Sequence, residues 1–169
     1  MTCADAETIE WVLRLPVWAV VGLSSSRARA AYGVAEFLQQ QGKQIVPVNP
    51  TGETVLGQPG FRSVADIPFP VDVVDIFRRS EAAGAHVDEA IAAGAAAVWL
   101  QLGVVDEAAA ERAAAAGLQV VVDHCPHIEW AAHGGFNRSS QHLDVGGAYG
   151  STTRVDGHAD WTAGDAVAG

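Results

Sequence analysis

Val17-Trp-Ala-Val-Val-Gly-Leu-Ser-Ser-Ser-Arg-Ala-Arg-Ala-Ala-Tyr-Gly-Val34 decides the fold. Val17–Val21 is apolar without alternation, the pattern of a strand covered on both faces. Gly22 and Leu23 follow, then a turn of Ser24, Ser25 and Ser26 with Arg27 and Arg29, and then a helical pattern. A strand that feeds a helix through such a turn leaves unpaired backbone N–H groups and a positive dipole end beside the strand terminus. Serine hydroxyls add donors, and arginines add charge and forked hydrogen bonds. The turn reads as an anion site. It is not a dinucleotide fingerprint, because G-x-G-x-x-G needs three glycines and the turn holds only Gly22.

Working outward, Asp5–Leu15 carries Ile9, Val12 and Leu13 at helical spacing and predicts a lead-in helix. The helix after the serine turn runs to about Gln41, with Val34, Phe37 and Leu38 on one face and Gly42 as its stop. Gln44–Val48 is a second strand ending in Asn49-Pro50. Residues 51–70 are rich in proline and glycine and predict an excursion with a short helical turn near Val64–Asp66. Val71–Phe77 is a third strand, followed by Arg78-Arg79-Ser80 and a helix from about Ala85 to Ala93. Ala97–Leu102 is a fourth strand ending at Gly103. Asp106 reads as the N-cap of helix Glu107–Ala116, and Leu118–Val122 is the fifth strand. Alternating strands and helices define the α/β class: a single doubly wound, Rossmann-like parallel sheet of about five strands, with helices on both faces. The expected strand order is 3-2-1-4-5, with the ligand crevice at the carboxyl ends beside strand 1. This domain spans 1–130. Residues 131–169 form a Gly/Ser/Asp-rich tail, expected to be mostly irregular or to pack on a neighbouring subunit.

Composition narrows the partners. The 169 residues carry a net charge of −10, which argues against nucleic acid or an anionic membrane as the main partner. No apolar run reaches the ~18 residues of a membrane-spanning helix. The acidic start lacks the basic region of a signal peptide, so a soluble cytoplasmic protein is expected. Cys3 and Cys125 give no disulfide framework. Arg27, Arg29, Arg78 and Arg79 are four of only ten basic residues, gathered in two turns. An acidic chain that gathers its arginines this way is expected to bind a small anion there.

Each strand's carboxyl end offers a contact: Gly22–Ser26, Val48-Asn49-Pro50, Phe77-Arg78-Arg79-Ser80, Gln101-Leu102-Gly103 and Asp123-His124-Cys125. An NAD site wants an acidic residue after strand 2, where Asn49 stands instead. A ligand with an additional ribose phosphate tolerates asparagine and gains from the arginines. The residues alone leave NADP and coenzyme A both open. Without a ligand, Asn49-Pro50 is equally well a strand end and turn, and Gln101-Leu102-Gly103 reads first as a strand closing in a glycine turn.

Six separated motifs occur in order: Ala19-Val-Val-Gly-Leu-Ser24, Val46-Pro-Val-Asn-Pro50, Val55-Leu-Gly57, Val71-Asp-Val-Val-Asp-Ile-Phe-Arg-Arg-Ser-Glu81, Val87-Asp-Glu-Ala-Ile91 and Val98-Trp-Leu-Gln-Leu-Gly-Val104. Together, over roughly residues 10–130, they resemble the small stand-alone CoA-binding domain proteins. Those are similar in turn to the nucleotide-binding domain of the succinyl-CoA synthetase alpha chain. The resemblance implies a Rossmann-like fold with coenzyme A or an acyl-CoA as ligand. It implies that Gly22, Leu23, Ser24 and Ser25 cradle phosphate, with Ser26 in the same turn, and that Arg27 or Arg29 meets a CoA phosphate. Val48, Asn49 and Pro50 would line the pantetheine or nucleotide path, and Phe77, Arg78 and Arg79 the opposite wall, with Gly103 and Cys125 at the remaining strand ends. The chain departs from the family where Asp-Arg-Cys and a lysine usually stand. Here it reads Asp123-His124-Cys125-Pro126-His127, so titratable imidazoles replace two permanent cations. The turn also lacks the family's common proline among its arginines.

The synthetase resemblance carries no activity with it, because the phosphorylated histidine of those enzymes lies in a second domain. The expected role is a non-catalytic carrier, sensor or regulatory module, with a protein partner or homo-oligomer possible. The alternative is a small enzyme using NADP or an acyl-CoA thioester. Cys125, between His124 and His127, is the side chain it would use as nucleophile. No acid–base pair stands at a demanding spacing. His124, Cys125, His127 and His133 match no established zinc pattern, so no metal is expected. Asp75, inside an apolar strand, is expected to bond a helix N-terminus or a turn.

Overall fold

The computed structural model describes residues 4–133. The elements run α1 (Ala6–Arg14), β1 (Val17–Val21), α2 (Ala30–Gln40), β2 (Gln44–Val48), a 3-10 turn (Val64–Asp66), β3 (Val73–Ile76), α3 (Ser80–Ala92), β4 (Ala97–Leu100), α4 (Glu107–Ala115), β5 (Gln119–Val122) and α5 (Pro126–Ala132). All five strands are parallel and form one sheet, as the α/β reading expects. No helix among the described residues is long and apolar enough to cross a membrane. Expectations for residues 134–169 lie outside the described residues.

The sheet order is β2-β1-β3-β4-β5, so the third strand lies beside β1 and not outside β2 as in the expected 3-2-1-4-5. The reason is visible in β2. Pro47 has no N–H to give a ladder, which confines it to an edge. Its carbonyl accepts the N–H of Phe61 at 2.9 Å, and the Asn49 N–H donates to the Phe61 carbonyl at 3.0 Å. The 51–70 excursion thereby covers the outer edge of β2 and returns the chain to the other side of β1. There the Asp72 and Phe77 N–H groups donate to the carbonyls of Val17 and Val21 at 3.0 and 2.9 Å. The direction of winding reverses between β1 and β3, which sets the crevice at their carboxyl ends.

Both faces of the sheet are buried. Ala19, Val21, Val74, Ile76, Val98 and Leu100 pack on one side with Ala83, Val87, Ala109 and Ala113 of α3 and α4. Trp18, Val20, Val73 and Trp99 pack on the other with Ile9, Val12 and Leu13 of α1 and Val34 and Leu38 of α2. Trp18 and Trp99 are fully buried with ring centroids 5.7 Å apart. Their indole N–H groups donate to the carbonyls of Leu15 and His124, each at 2.8 Å, so neither costs an unpaired donor.

Two helices differ from expectation. α3 begins at Ser80, more than a turn before Ala85, because the Ser80 hydroxyl accepts the Val105 N–H at 3.0 Å and ties the first turn to the loop after β4. α5 is not anticipated. Pro126 opens it at the position where a missing N–H costs nothing, and His127 stacks on Phe37 of α2 at 4.1 Å with Trp130 edge-on to the same ring.

Candidate functional site

The site is built on a close approach at Gly22. Its φ is +92°, a region that disfavours a side chain, and a Cβ there would stand 2.6 Å from the Phe77 carbonyl oxygen. The Gly22 N–H donates to the Val48 carbonyl at 2.8 Å. The ends of β2, β1 and β3 are thus drawn together, and any β-carbon would part them. Leu23 is fully buried beneath the turn as its anchor.

Ser24, Ser25 and Ser26 precede α2, whose cap position belongs to Arg29 and carries no side-chain hydrogen bond. Arg79 holds the same position on α3, again without one. By contrast, α1 and α4 are capped by Asp5 and Asp106, whose carboxylates accept from the Thr8 and Ala109 N–H groups at 2.7 and 3.0 Å. The helices that open on the crevice therefore present arginine where α1 and α4 present a capping carboxylate. Such ends favour an anion.

Around them lie two adjoining hollows of about 430 Å³ each, sharing Arg29, Phe77, Arg78 and Arg79. One reaches Ala82; the other runs over Gly22, Ala30 and Ala31 to Gln101, Leu102 and Val104. A hollow of about 470 Å³ between α1, α4 and β5 is larger, but its charged lining is Asp5 and Glu111. It does not suit a polyanion.

Other expected contacts are placed differently. Arg27 lies over the Tyr32 ring, 5.5 Å from its centroid, and does not line the hollows. The Ser25 N–H and hydroxyl donate to the two carboxylate oxygens of Glu53 at 3.1 and 3.2 Å, so an acidic side chain holds donors expected for phosphate. Asn49 is buried: its oxygen accepts from the Glu53 N–H at 2.9 Å and the Thr51 hydroxyl at 3.1 Å. Its amide donates to the Leu23 carbonyl at 3.0 Å. It clamps two loops together, while Val48 lies beneath it and Pro50 is exposed. The Gly103 N–H donates to Asp123 at 2.7 Å, at an exposed rim.

Cys125 does not line either hollow. It follows β5, three strand spacings from β1, roughly 14 Å across the sheet. His124 and His133 both face Glu129, at 3.9 and 3.7 Å. Among the described residues, no three His, Cys, Asp or Glu side chains converge as a metal site.

Two polar residues beneath the crevice, Asp75 and Gln101, form a pair that the sequence reading did not anticipate. Asp75 is fully buried, and its Oδ1 accepts from Gln101 Nε2 at 2.7 Å, in place of the expected helix end or turn. Burial pushes its carboxyl up to about 8, against the opposing pull of the Gln101 hydrogen bond. The signal available in the sequence was polarity out of place: an aspartate within Val73-Val-Asp-Ile76, and a glutamine directly after Ala97-Val-Trp-Leu100.

Fold and site define a Rossmann-like α/β module with an arginine-lined crevice at its switch point. The chain belongs to the CoA binding domain family, which matches residues 16–131. It is 37% identical over 122 residues to the uncharacterized protein YneT of Bacillus subtilis (strain 168), covering 72% of this chain and 90% of that protein. A hypothetical protein from Pyrococcus horikoshii OT3 superposes with a TM-score of 0.73 at 35% identity, covering 76% of this chain and 92% of that one. A dinucleotide-forming acetyl-coenzyme A synthetase from Ca. Korarchaeum cryptofilum shares the fold, with a TM-score of 0.60 at 23% identity. That match covers 68% of this chain and 28% of the synthetase.

Proposed function

We propose that the protein binds coenzyme A or an acyl-CoA in the crevice at the carboxyl ends of β1 and β3, as a non-catalytic carrier, sensor or regulatory module of the cytoplasm. The observation that carries this is the grouping of Arg29, Arg78 and Arg79 around one cavity, at two helix starts without side-chain caps, in a chain of net charge −10. Three guanidinium groups suit a ligand with several phosphates, and the apolar surface of Ala31, Phe77, Leu102 and Val104 suits its uncharged arm. Among the described residues, the two hollows are lined by arginine, glutamine and apolar side chains with no serine, cysteine, histidine or carboxylate.

Isothermal titration with CoA, 3′-dephospho-CoA and NADP tests the reading. CoA should bind with a Kd on the order of micromolar. Arg29→Ala or Arg78→Ala should each weaken it roughly tenfold, as loss of a charge-assisted hydrogen bond does. NADP binding without CoA binding would replace the module reading with an oxidoreductase one. No heat with any of the three would sink both.

A further inference from the structure

Asp75 is the one described carboxyl wholly withdrawn from solvent, and it sits directly beneath the crevice. In register it lies between Val20 of β1 and Trp99 of β4, on the face covered by α1 and α2. Those strands bring no charged side chain to it. The helix residues buried on that face are Ile9, Val12 and Leu13 of α1, and Ala31, Val34, Ala35 and Leu38 of α2. The charged groups of α1, Glu7, Glu10 and Arg14, lie off its buried positions, as does Glu36 of α2, while Tyr32 is partly buried against this face. α5 packs on α1 and α2, where His127 stacks on Phe37 and Glu129 faces His124 and His133. Arg29, Arg78 and Arg79 share the lining of the crevice with Gln101. Among the described residues Gln101 is the only side chain that hydrogen-bonds the Asp75 carboxyl, and the second carboxyl oxygen, Oδ2, is buried with no partner. Gln101 itself lines the crevice.

A carboxylate can only accept, so with Asp75 ionised Gln101 must turn its amide inward and leave its oxygen for the crevice. A protonated carboxyl has one donor to place. On Oδ2 that proton meets no acceptor, a costly arrangement in a buried site. Half a turn of the Gln101 carboxamide brings its oxygen inward to accept the proton and sends the NH2 group outward. We propose that Asp75 and Gln101 form a proton-linked selector beneath the crevice: with Asp75 protonated, Gln101 donates to a carbonyl or phosphoryl oxygen of the ligand, and with Asp75 ionised, that donor is withdrawn. The proton is exchanged with bulk water. Burial alone already favours the protonated form at neutral pH. In the CoA reading, on which this rests, the oxygen is an amide, thioester or phosphate oxygen of CoA.

The side-chain amide resonance of Gln101, followed by 15N NMR in the ligand-free protein, should shift with a midpoint near pH 8 and become pH-insensitive in Asp75→Asn. In wild type, CoA affinity should fall roughly tenfold between pH 7 and pH 9, as the protonated fraction of such a group falls. Titration in two buffers of different ionisation enthalpy at pH 8 should show proton uptake on binding. Asp75→Asn should lose both effects, and Gln101→Leu should bind more weakly with the excess pH dependence gone. A static amide resonance from pH 6.5 to 9 overturns the proposal whatever CoA does, and it needs no variant to fold. CoA binding with the same pH dependence in wild type and Asp75→Asn overturns it also. If the amide titrates but CoA does not bind, the CoA reading fails, and the selector's role toward CoA fails with it.

Discussion

Gly22, Glu53 and Asn49 do different work within one small region. At Gly22 a β-carbon meets both an unfavourable φ and a backbone carbonyl at 2.6 Å, and neither can relax without moving β3. Gly22→Ala should cost about 1–3 kcal/mol of stability, read by urea unfolding, and abolish CoA binding in any fraction that remains folded. An alanine variant that binds normally would show that the approach of Gly22 to Phe77 is dispensable. Glu53 invites the opposite outcome. Its carboxylate spans the N–H and hydroxyl of Ser25, the donors a phosphate would take. Glu53→Gln should tighten CoA roughly threefold by removing a like charge from the anion path, checked by titration. Weaker binding would mean that Glu53 holds the loop in its receptive form. Asn49 was legible as a polar residue at a strand end, but not as a clamp. Its partners Leu23 and Glu53 are 26 and 4 residues away, and only the folded loops bring them to one amide.

At the scale of elements, the strands were readable because burial on both faces writes β1 and β4 as unbroken apolar runs and interrupts β3 only at Asp75. Their sequence positions do not state their neighbours. The order turned on one residue, Pro47, whose missing N–H marks β2 as the edge. The start of α3 was missed because Ser80 gains its role only when the loop after β4 comes alongside. α5 went unread because seven residues give too short a period to stand out. Helix capping separates fold from function at this scale. Asp106→Ala removes the cap of α4, away from the crevice, and should cost about 1 kcal/mol with no change in CoA affinity. Thermal unfolding alongside CoA titration checks this. A large loss of CoA affinity would show that the loop from β4 to α4 is coupled to the site.

For the whole molecule, the buried carboxyl makes stability depend on pH in a direction opposite to that of most acidic residues. Asp75 takes its proton at about 8 when folded and near 4 when unfolded. Between those values the folded chain holds one more proton than the unfolded chain, so stability falls as pH rises. Asp75's contribution is fully present below about pH 4 and is lost as pH passes 8. Lys43, held down to about 8 by burial against the pull of Asp72, acts in a separate window: it adds stability between about 8 and its ordinary 10.5. It is half exposed, so solvent screens its effect. Wild type should therefore lose stability from pH 5 to pH 8 relative to Asp75→Asn, by an amount on the order of a few kcal/mol. Denaturant unfolding of both proteins at matched pH reads the difference directly. Parallel curves across that range would show that Asp75 is already ionised in the folded chain. The inward amide of Gln101 would then be its permanent partner, and the crevice floor would offer the ligand an oxygen at every pH.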